Sequence, residues 1–364
     1  MAADEIALGT KPPSKSTDKA ALVPEATMMF REAAEACDVI RTQLIRNAPI
    51  VAALAKRLRA APPRAVVTFG RGSSDHAATF ARYLIETRLG VVTSSAAPSV
   101  SSVYDASPGM AGMLCLAISQ SGRSPDLLAA AQAASSAGAL VVALVNDEAS
   151  PLAAQADLTI PLGAAPERSV AATKSYIAAL AAATQLTAHW IEDGALLEAL
   201  DGLPDLLAEA WRRPWTAAPG RLVDARSLYV LGRGIGFGIA QEAALKFKET
   251  CGLHAEAFST AEVQHGPMAL VGKGFPILAF AQDDETRPGV EAAVEACVNQ
   301  GASVMKVGGA DQAGVIRLPA PNAHPVLEPI VFVQGFYRMV CELAVARGFD
   351  PDRPPHLSKV TETT

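Results

Sequence analysis

The feature that most constrains this chain is that it repeats itself. The stretches "AVVTFGRGSSDHAATFARYL" from Ala65 and "SLYVLGRGIGFGIAQEAALK" from Ser227 share one layout of apolar strand, Gly-Arg-Gly and helix, and Gly232 stands 162 positions after Gly70. The same offset carries "MLCLAISQ" (113–120) onto "FPILAFAQ" (275–282), so that Gln282 falls on Gln120, and "AGALVVALV" (137–145) comes within one residue of "QGASVMKV" (300–307). Agreement along three successive strands means two copies of one supersecondary unit. Each copy reads strand, helix, strand, helix, strand, helix, strand, with apolar strands and Ala-rich helices. That pattern predicts an α/β fold in which each copy is a doubly wound parallel sheet flanked by helices.

Boundaries follow from breaks in the pattern. Residues 1–27 mix charge, proline and serine and read as a disordered leader. Residues 28–61 read as one or two helices that lead into the first unit, which spans 28–211. The prolines and glycine of "RRPWTAAPG" open the second unit, 212–350, and residues 351–364 form a tail expected to lie over an active site.

Half of the 364 residues are hydrophobic, enough for sizeable cores. The net charge of −6 argues against a nucleic-acid partner, which calls for a basic patch. Cys37, Cys115, Cys251, Cys297 and Cys341 are dispersed and odd in number, without a CxxC, as expected of reduced thiols in a cytoplasmic protein. No signal-peptide core and no long apolar run is present, so no membrane partner is expected. The glycines of "GRGSS" do not complete GxGxxG and no acidic residue suits a dinucleotide ribose, so NAD is not expected. No His, Cys, Asp and Glu grouping has metal-ligand spacing. The chain is therefore expected to need no metal and no other cofactor.

The two copies differ where ligands bind in such sheets, at the carboxyl ends of the strands. The first has Ser119-Gln120-Ser121-Gly122-Arg123-Ser124 ahead of a helix expected to start after it, and the second has "AQDDET". Hydroxyls and free backbone N–H groups at a helix N-terminus make a cradle for phosphate, whereas three carboxylates would repel one. Two further loops of the first copy repeat the theme. "GRGSSD" offers Ser73 and Ser74, and "ERSVAATKS" offers Ser169 and Thr173, with backbone groups at Val170 and Ala171. One such loop is an ordinary helix cap. Three in one unit predict an anion site in the first copy alone.

The motifs "SQSGRSPD", "SVAATK", "ALKFKE", "HAEAF", "EVQHGPMAL" and the terminal "LSKVTET" resemble the sugar isomerase (SIS) domain family over residues 28–364. The nearer resemblance is to the isomerase half of glucosamine-6-phosphate synthase and to stand-alone SIS-type glucosamine-6-phosphate deaminases. It implies two tandem SIS domains, a phosphosugar partner held by the first, and a homodimer with sites shared between subunits. It also implies roles for residues. Ser74, Ser119, Gln120, Ser121 and Ser124 match phosphate-loop positions, and Val170 and Ala171 match backbone contacts to the sugar. Glu249 matches the proton-transferring carboxylate. His265 matches the ring-opening histidine, which in the synthase comes from the neighbouring subunit. Lys359 matches a lysine that can form a Schiff base with a ketose. Thr173 and Lys246 complete the candidate substrate-binding set. The short leader stands where the synthase carries a glutaminase domain, so glutamine is not expected as nitrogen donor.

The residues support the same chemistry. Moving a proton between C2 and C1 of a sugar needs a carboxylate beside that edge, and opening the ring needs a group that titrates near neutrality. Glu249 and Lys246, three apart, fall on one face of a predicted helix. His265, ahead of Gly266 and Pro267, is well placed for presentation from a loop, with His254 as a structural partner and His76 as a lesser candidate beside the phosphate pocket. Lys359 sits in a tail stiffened by Pro354 and Pro355, and that tail is expected to order only when substrate or a neighbour holds it. The expected reaction is conversion of glucosamine 6-phosphate to fructose 6-phosphate and ammonia. Another phosphosugar isomerisation or deglycation, and a non-catalytic phosphosugar-binding regulator, are the alternatives.

Overall fold

The structure, a computed structural model, describes residues 22–106 and 109–359. Of the expected leader, residues 1–21 lie outside the described residues, and order begins before residue 28. Pro24–Ala26 form a 3-10 turn, and Thr27 caps the helix Met28–Ala34 by accepting from the Phe30 N–H at 3.2 Å. The helix Ala36–Ala60 follows.

The first unit contains β1 (Val66–Phe69), β2 (Thr93–Ser95), β3 (Leu114–Ser119), β4 (Leu140–Val145) and β5 (Leu158–Pro161). The second contains β6 (Ser227–Gly232), β7 (His254–Ser259), β8 (Pro276–Ala281), β9 (Ser303–Gly308) and β10 (Val315–Leu318). All pairings are parallel. The spatial orders are β2-β1-β3-β4-β5 and β7-β6-β8-β9-β10, one topology used twice. The helices correspond as well: Ser73–Leu89 with Phe237–Cys251, Pro125–Ser136 with Arg287–Asn299, and, after the last strand of each sheet, Lys174–Ile191 with Glu328–Ala346.

Among the described residues each unit thus has five strands, where the sequence pattern showed four. The added strands, β2 and β7, lie at equivalent sheet edges. β2 is three residues long with two of them exposed, and β7 ("HAEAFS") is mostly half-exposed. Neither has the apolar run that marks a buried parallel strand, and the sequence of β7 reads as a turn-rich excursion.

Alternate strand residues feed two cores. Leu114, Leu116 and Ile118 face one side of the first sheet, while Cys115 and Ala117 face the other with Leu127 and Ala131. The first-named core also contains Leu228, Val230, Leu278 and Phe280 from the second sheet. The two sheets therefore share a central helical layer, and each keeps its own outer one. Lys174–Ile191 in that central layer is buried almost all round, as its Ala-rich sequence demands. Glu328–Ala346 is long and apolar enough to cross a membrane by length and composition, and it is a core helix with 78% of its most apolar window buried.

Candidate active site

The strand order of the first sheet reverses between β1 and β3, which opens a crevice at their carboxyl ends. A cavity of about 340 Å³ lies there, lined by Ser73, Ser74, Ser119, Gln120, Ser121, Ser124 and Val170. Ser124 is the N-cap residue of the helix Pro125–Ser136, and Ser73 begins the helix Ser73–Leu89. Two helix N-termini therefore face the cavity with the partial positive charge of their dipoles. Ser119 Oγ accepts from the Gly122 N–H at 2.9 Å, which leaves the hydroxyl proton free to donate. Gly122 is at φ 63°, and a Cβ there would run into the Ser150 hydroxyl, so the turn requires glycine. Arg123 turns away to Asp147 at 2.7 Å. Arg71, which sequence reasoning did not single out, lines the cavity and pairs with the fully buried Asp126 at 2.7 Å.

Glu249 enters the same cavity from the second unit, on the helix Phe237–Cys251. That helix crosses Ser73–Leu89 closely enough that a Cβ on Gly238 would lie 2.6 Å from the His76 carbonyl oxygen. The crossing assembles a buried polar cluster. Lys246 Nζ donates to Glu249 Oε2 at 2.6 Å and to Ser73 Oγ at 3.0 Å, and lies 3.1 Å from Glu242 Oε1. Glu242 also accepts from Ser73 Oγ (3.1 Å) and Tyr337 Oη (2.9 Å), and His76 Nδ1 lies 3.1 Å from it. Burial alone would raise the Glu242 carboxyl, but the Lys246 ammonium and the His76 ring pull it down to about 2. Burial likewise opposes charge on Lys246, and Glu242 and Glu249 together hold its pKa above the usual lysine range. Burial, aided by Glu242, pushes the Tyr337 hydroxyl far above the ordinary tyrosine range.

The third predicted loop forms the opposite wall. Its conformation is fixed by two carboxylates absent from the sequence-based set. Glu32, on Met28–Ala34, accepts from the Arg168 N–H at 2.6 Å and the Ser169 N–H at 3.0 Å. Glu167, wholly buried, accepts from the N–H groups of Thr173 (3.0 Å) and Ser175 (3.1 Å) and from Ser175 Oγ (2.6 Å). Lys359 Nζ lies 3.2 Å from Glu167 Oε2, so the tail rests on this loop, and Leu357, Ser358 and Lys359 line the cavity. The tail meets this loop through Lys359, and residues 360–364 lie outside the described residues.

The structure brings together Ser74, Ser119, Gln120, Ser121, Ser124, Val170, Glu249 and Lys359. It places four other candidates elsewhere. Lys246 is fully buried behind Glu249 and does not line the cavity, because two carboxylates and Ser73 surround its ammonium. The Ala171 methyl packs in the shared core and Ala172 lines the wall in its place. Thr173 is buried at the start of Lys174–Ile191, its backbone N–H spent on Glu167. His265 is exposed at the end of a one-turn 3-10 segment, Glu262–Gln264, outside the cavity lining. Glu242 could have been found from the sequence, since it precedes Lys246 by four positions and Glu249 by seven on one helix face. Glu167 carried no such signal.

At the equivalent place in the second unit, Ala281 and Gln282 replace Ser119 and Gln120. Gln282 Nε2 donates to the Arg233 carbonyl (2.8 Å), Asp284 Oδ2 (3.1 Å) and Thr286 Oγ1 (2.9 Å). Asp283 pairs with Arg287 at 2.5 Å, and its N–H donates to Glu328 at 2.6 Å. The Gln282 amide nitrogen is thus held by its own loop, and the cavity beside it is lined by Asp283, Asp284 and Glu285.

The family description "SIS domain" matches residues 61–189 and 221–308, once in each unit. The glutamine–fructose-6-phosphate aminotransferase (isomerizing) of Aeropyrum pernix is 35% identical over 316 residues, 80% of this chain and 50% of that protein. Its counterpart from Pyrococcus horikoshii is 32% identical over 326 residues, 86% of this chain and 54% of that protein. The chain spans about half the length of these curated relatives. Among solved structures, a Silicibacter pomeroyi DSS-3 protein, provisionally described as a phosphosugar isomerase, is 43% identical. Its TM-score is 0.86, with 90% of this chain and 100% of that one covered. A glucosamine-6-phosphate deaminase from Thermotoga maritima, at 22% identity and TM-score 0.75 over 93% of this chain and 100% of that one, shares the fold.

Proposed function

The chain belongs to the SIS domain family, and from that premise we propose that it isomerises an amino-sugar phosphate, converting glucosamine 6-phosphate to fructose 6-phosphate and ammonia. The observation that carries this reading is that one cavity joins a neutral hydroxyl cradle to a carboxylate supplied by the other unit. Ser74, Ser119, Gln120, Ser121 and Ser124 hold the phosphate with helix N-termini behind them. The sugar lies along Val170. Glu249, steadied by Lys246, takes the C2 proton of the open-chain aldose and returns it to C1. The product of that shift is the imine of a ketose, and its hydrolysis gives fructose 6-phosphate and ammonia.

His265 opens the ring in a partner's site in this proposal. Its exposed loop, with Leu270 exposed beside it, supports a homodimer in which the loop reaches across. Lys359 supplies charge, or an amine for imine formation, at the cavity rim. Cys37, Cys115, Cys251, Cys297 and Cys341 are all free, which supports a reducing cytoplasmic setting. The test is a coupled assay of ammonia and fructose 6-phosphate release over a panel of hexosamine phosphates. Equimolar release from glucosamine 6-phosphate supports the reading, and binding without turnover of any member would favour a phosphosugar sensor.

A further inference from the structure

We propose that Glu167 is a positioning residue, a latch that holds Lys359 at the cavity and ties the tail to the loop forming the opposite wall. The value of Lys359 to the reaction rests on the function proposed above, but the latch itself does not. The tail leaves the helix Glu328–Ala346 at Arg347, whose guanidinium donates to the carbonyls of Cys251 (2.8 Å), Leu222 (3.0 Å), Val223 (2.7 Å) and Ala225 (2.9 Å). Five residues on, Asp352 accepts from the N–H groups of Met28 (2.6 Å) and Met29 (2.8 Å), at the positive end of the helix Met28–Ala34. The last described contact is Lys359 Nζ on Glu167 Oε2.

These fastenings form a closed circuit. Asp352 binds the start of Met28–Ala34, Glu32 of that helix holds Arg168 and Ser169, and Glu167 just before them holds Lys359. The strength of the latch comes from burial. Glu167 has no exposed side-chain surface, and its donors from Thr173 and Ser175 are neutral. Neutral hydrogen bonds stabilise a buried carboxylate without cancelling its charge, and Lys359 is the ion-pair partner it has among the described residues. Lifting the tail strands that charge, so closure of the tail is favoured before any ligand arrives. Glu167→Gln would turn an amide donor toward the Lys359 ammonium and reverse the preference.

The test is hydrogen exchange of the tail amides (348–359), followed by mass spectrometry on the full chain without substrate. Lys359→Met, a change on a partly exposed side chain, leaves the core untouched and should speed tail exchange by about tenfold. Glu167→Gln should do the same, and the double variant should exchange no faster than Lys359→Met alone. Lys359→Arg, which keeps the cation, should restore protection to near the wild-type value, a rescue that a purely structural side chain would not require. Wild-type tail exchange in Lys359→Met overturns the latch even if Glu167→Gln fails to fold, and so do additive effects in the double variant. Because no turnover is measured, failure of the phosphosugar reading and failure of the latch are separate outcomes.

Discussion

At Ser119 the hydroxyl both closes a turn, by accepting from Gly122, and keeps a proton to donate. Ser121 lies two positions on in the same cavity wall. Removing both hydroxyls in Ser119→Ala/Ser121→Ala should weaken phosphosugar binding by about 1.5–3 kcal/mol for each bond lost to the charged group. Calorimetric titration against Asp283→Ala, at the corresponding place in the second unit, checks this. Equal losses in the two proteins would contradict a single phosphate site per chain. These hydroxyls were legible in the sequence because a duplicated chain exposes the position where one copy keeps Ser-Gln-Ser and the other has Ala-Gln-Asp. Glu167 and Arg71 were not legible as site residues, since they act through partners 192 and 55 positions away in the chain; the repeated Gly-Arg-Gly marks Arg71 without showing what its side chain meets.

The helix Phe237–Cys251 carries Glu249, the carboxylate proposed to react, and its support on one face, at Glu242 and Lys246. Sequence spacing revealed the pairing of the last two but assigned Lys246 to the substrate; only the crossing with Ser73–Leu89, set by Gly238, shows it enclosed. Lys246→Met should cost about 3–5 kcal/mol at neutral pH, because it strands the buried Glu242 charge. The sign with pH follows from the wild-type shift. Glu242 is held at about 2 against an ordinary 4.5, so its contribution is present above pH 4.5 and is lost as pH falls from 4.5 toward 2. In Lys246→Met burial raises the same carboxyl, which then takes up a proton, so the penalty should shrink on acidification. Thermal melts of both proteins at neutral and acid pH measure it, and a pH-independent penalty would contradict the ion-pair account. The edge strands β2 and β7 escaped the sequence for a related reason: a strand exposed on one flank needs no continuous apolar run.

For the whole molecule, duplication followed by division of labour explains the arrangement. The first unit keeps the hydroxyl cradle, the second lines its own crevice with Asp283, Asp284 and Glu285, and its helix Phe237–Cys251 delivers Glu249 to the first unit's cavity. Topology was readable because the repeat fixed strand order in both halves at once, whereas the placement of His265 outside its own cavity is a fact of tertiary structure. Mixing Glu249→Gln and His265→Asn subunits should recover part of the lost activity if His265 serves the neighbouring site, and verified mixed dimers without recovery would contradict sharing. The central claim is that Glu249 moves a proton between C1 and C2 of a phosphosugar seated in the first unit. Proton NMR of fructose 6-phosphate incubated with the protein and ammonium in D₂O tests it most directly. The account predicts deuterium incorporation at C1 with the wild type and its loss, by about a hundredfold or more, in Glu249→Gln that still binds the sugar. Exchange at the wild-type rate in Glu249→Gln would contradict it.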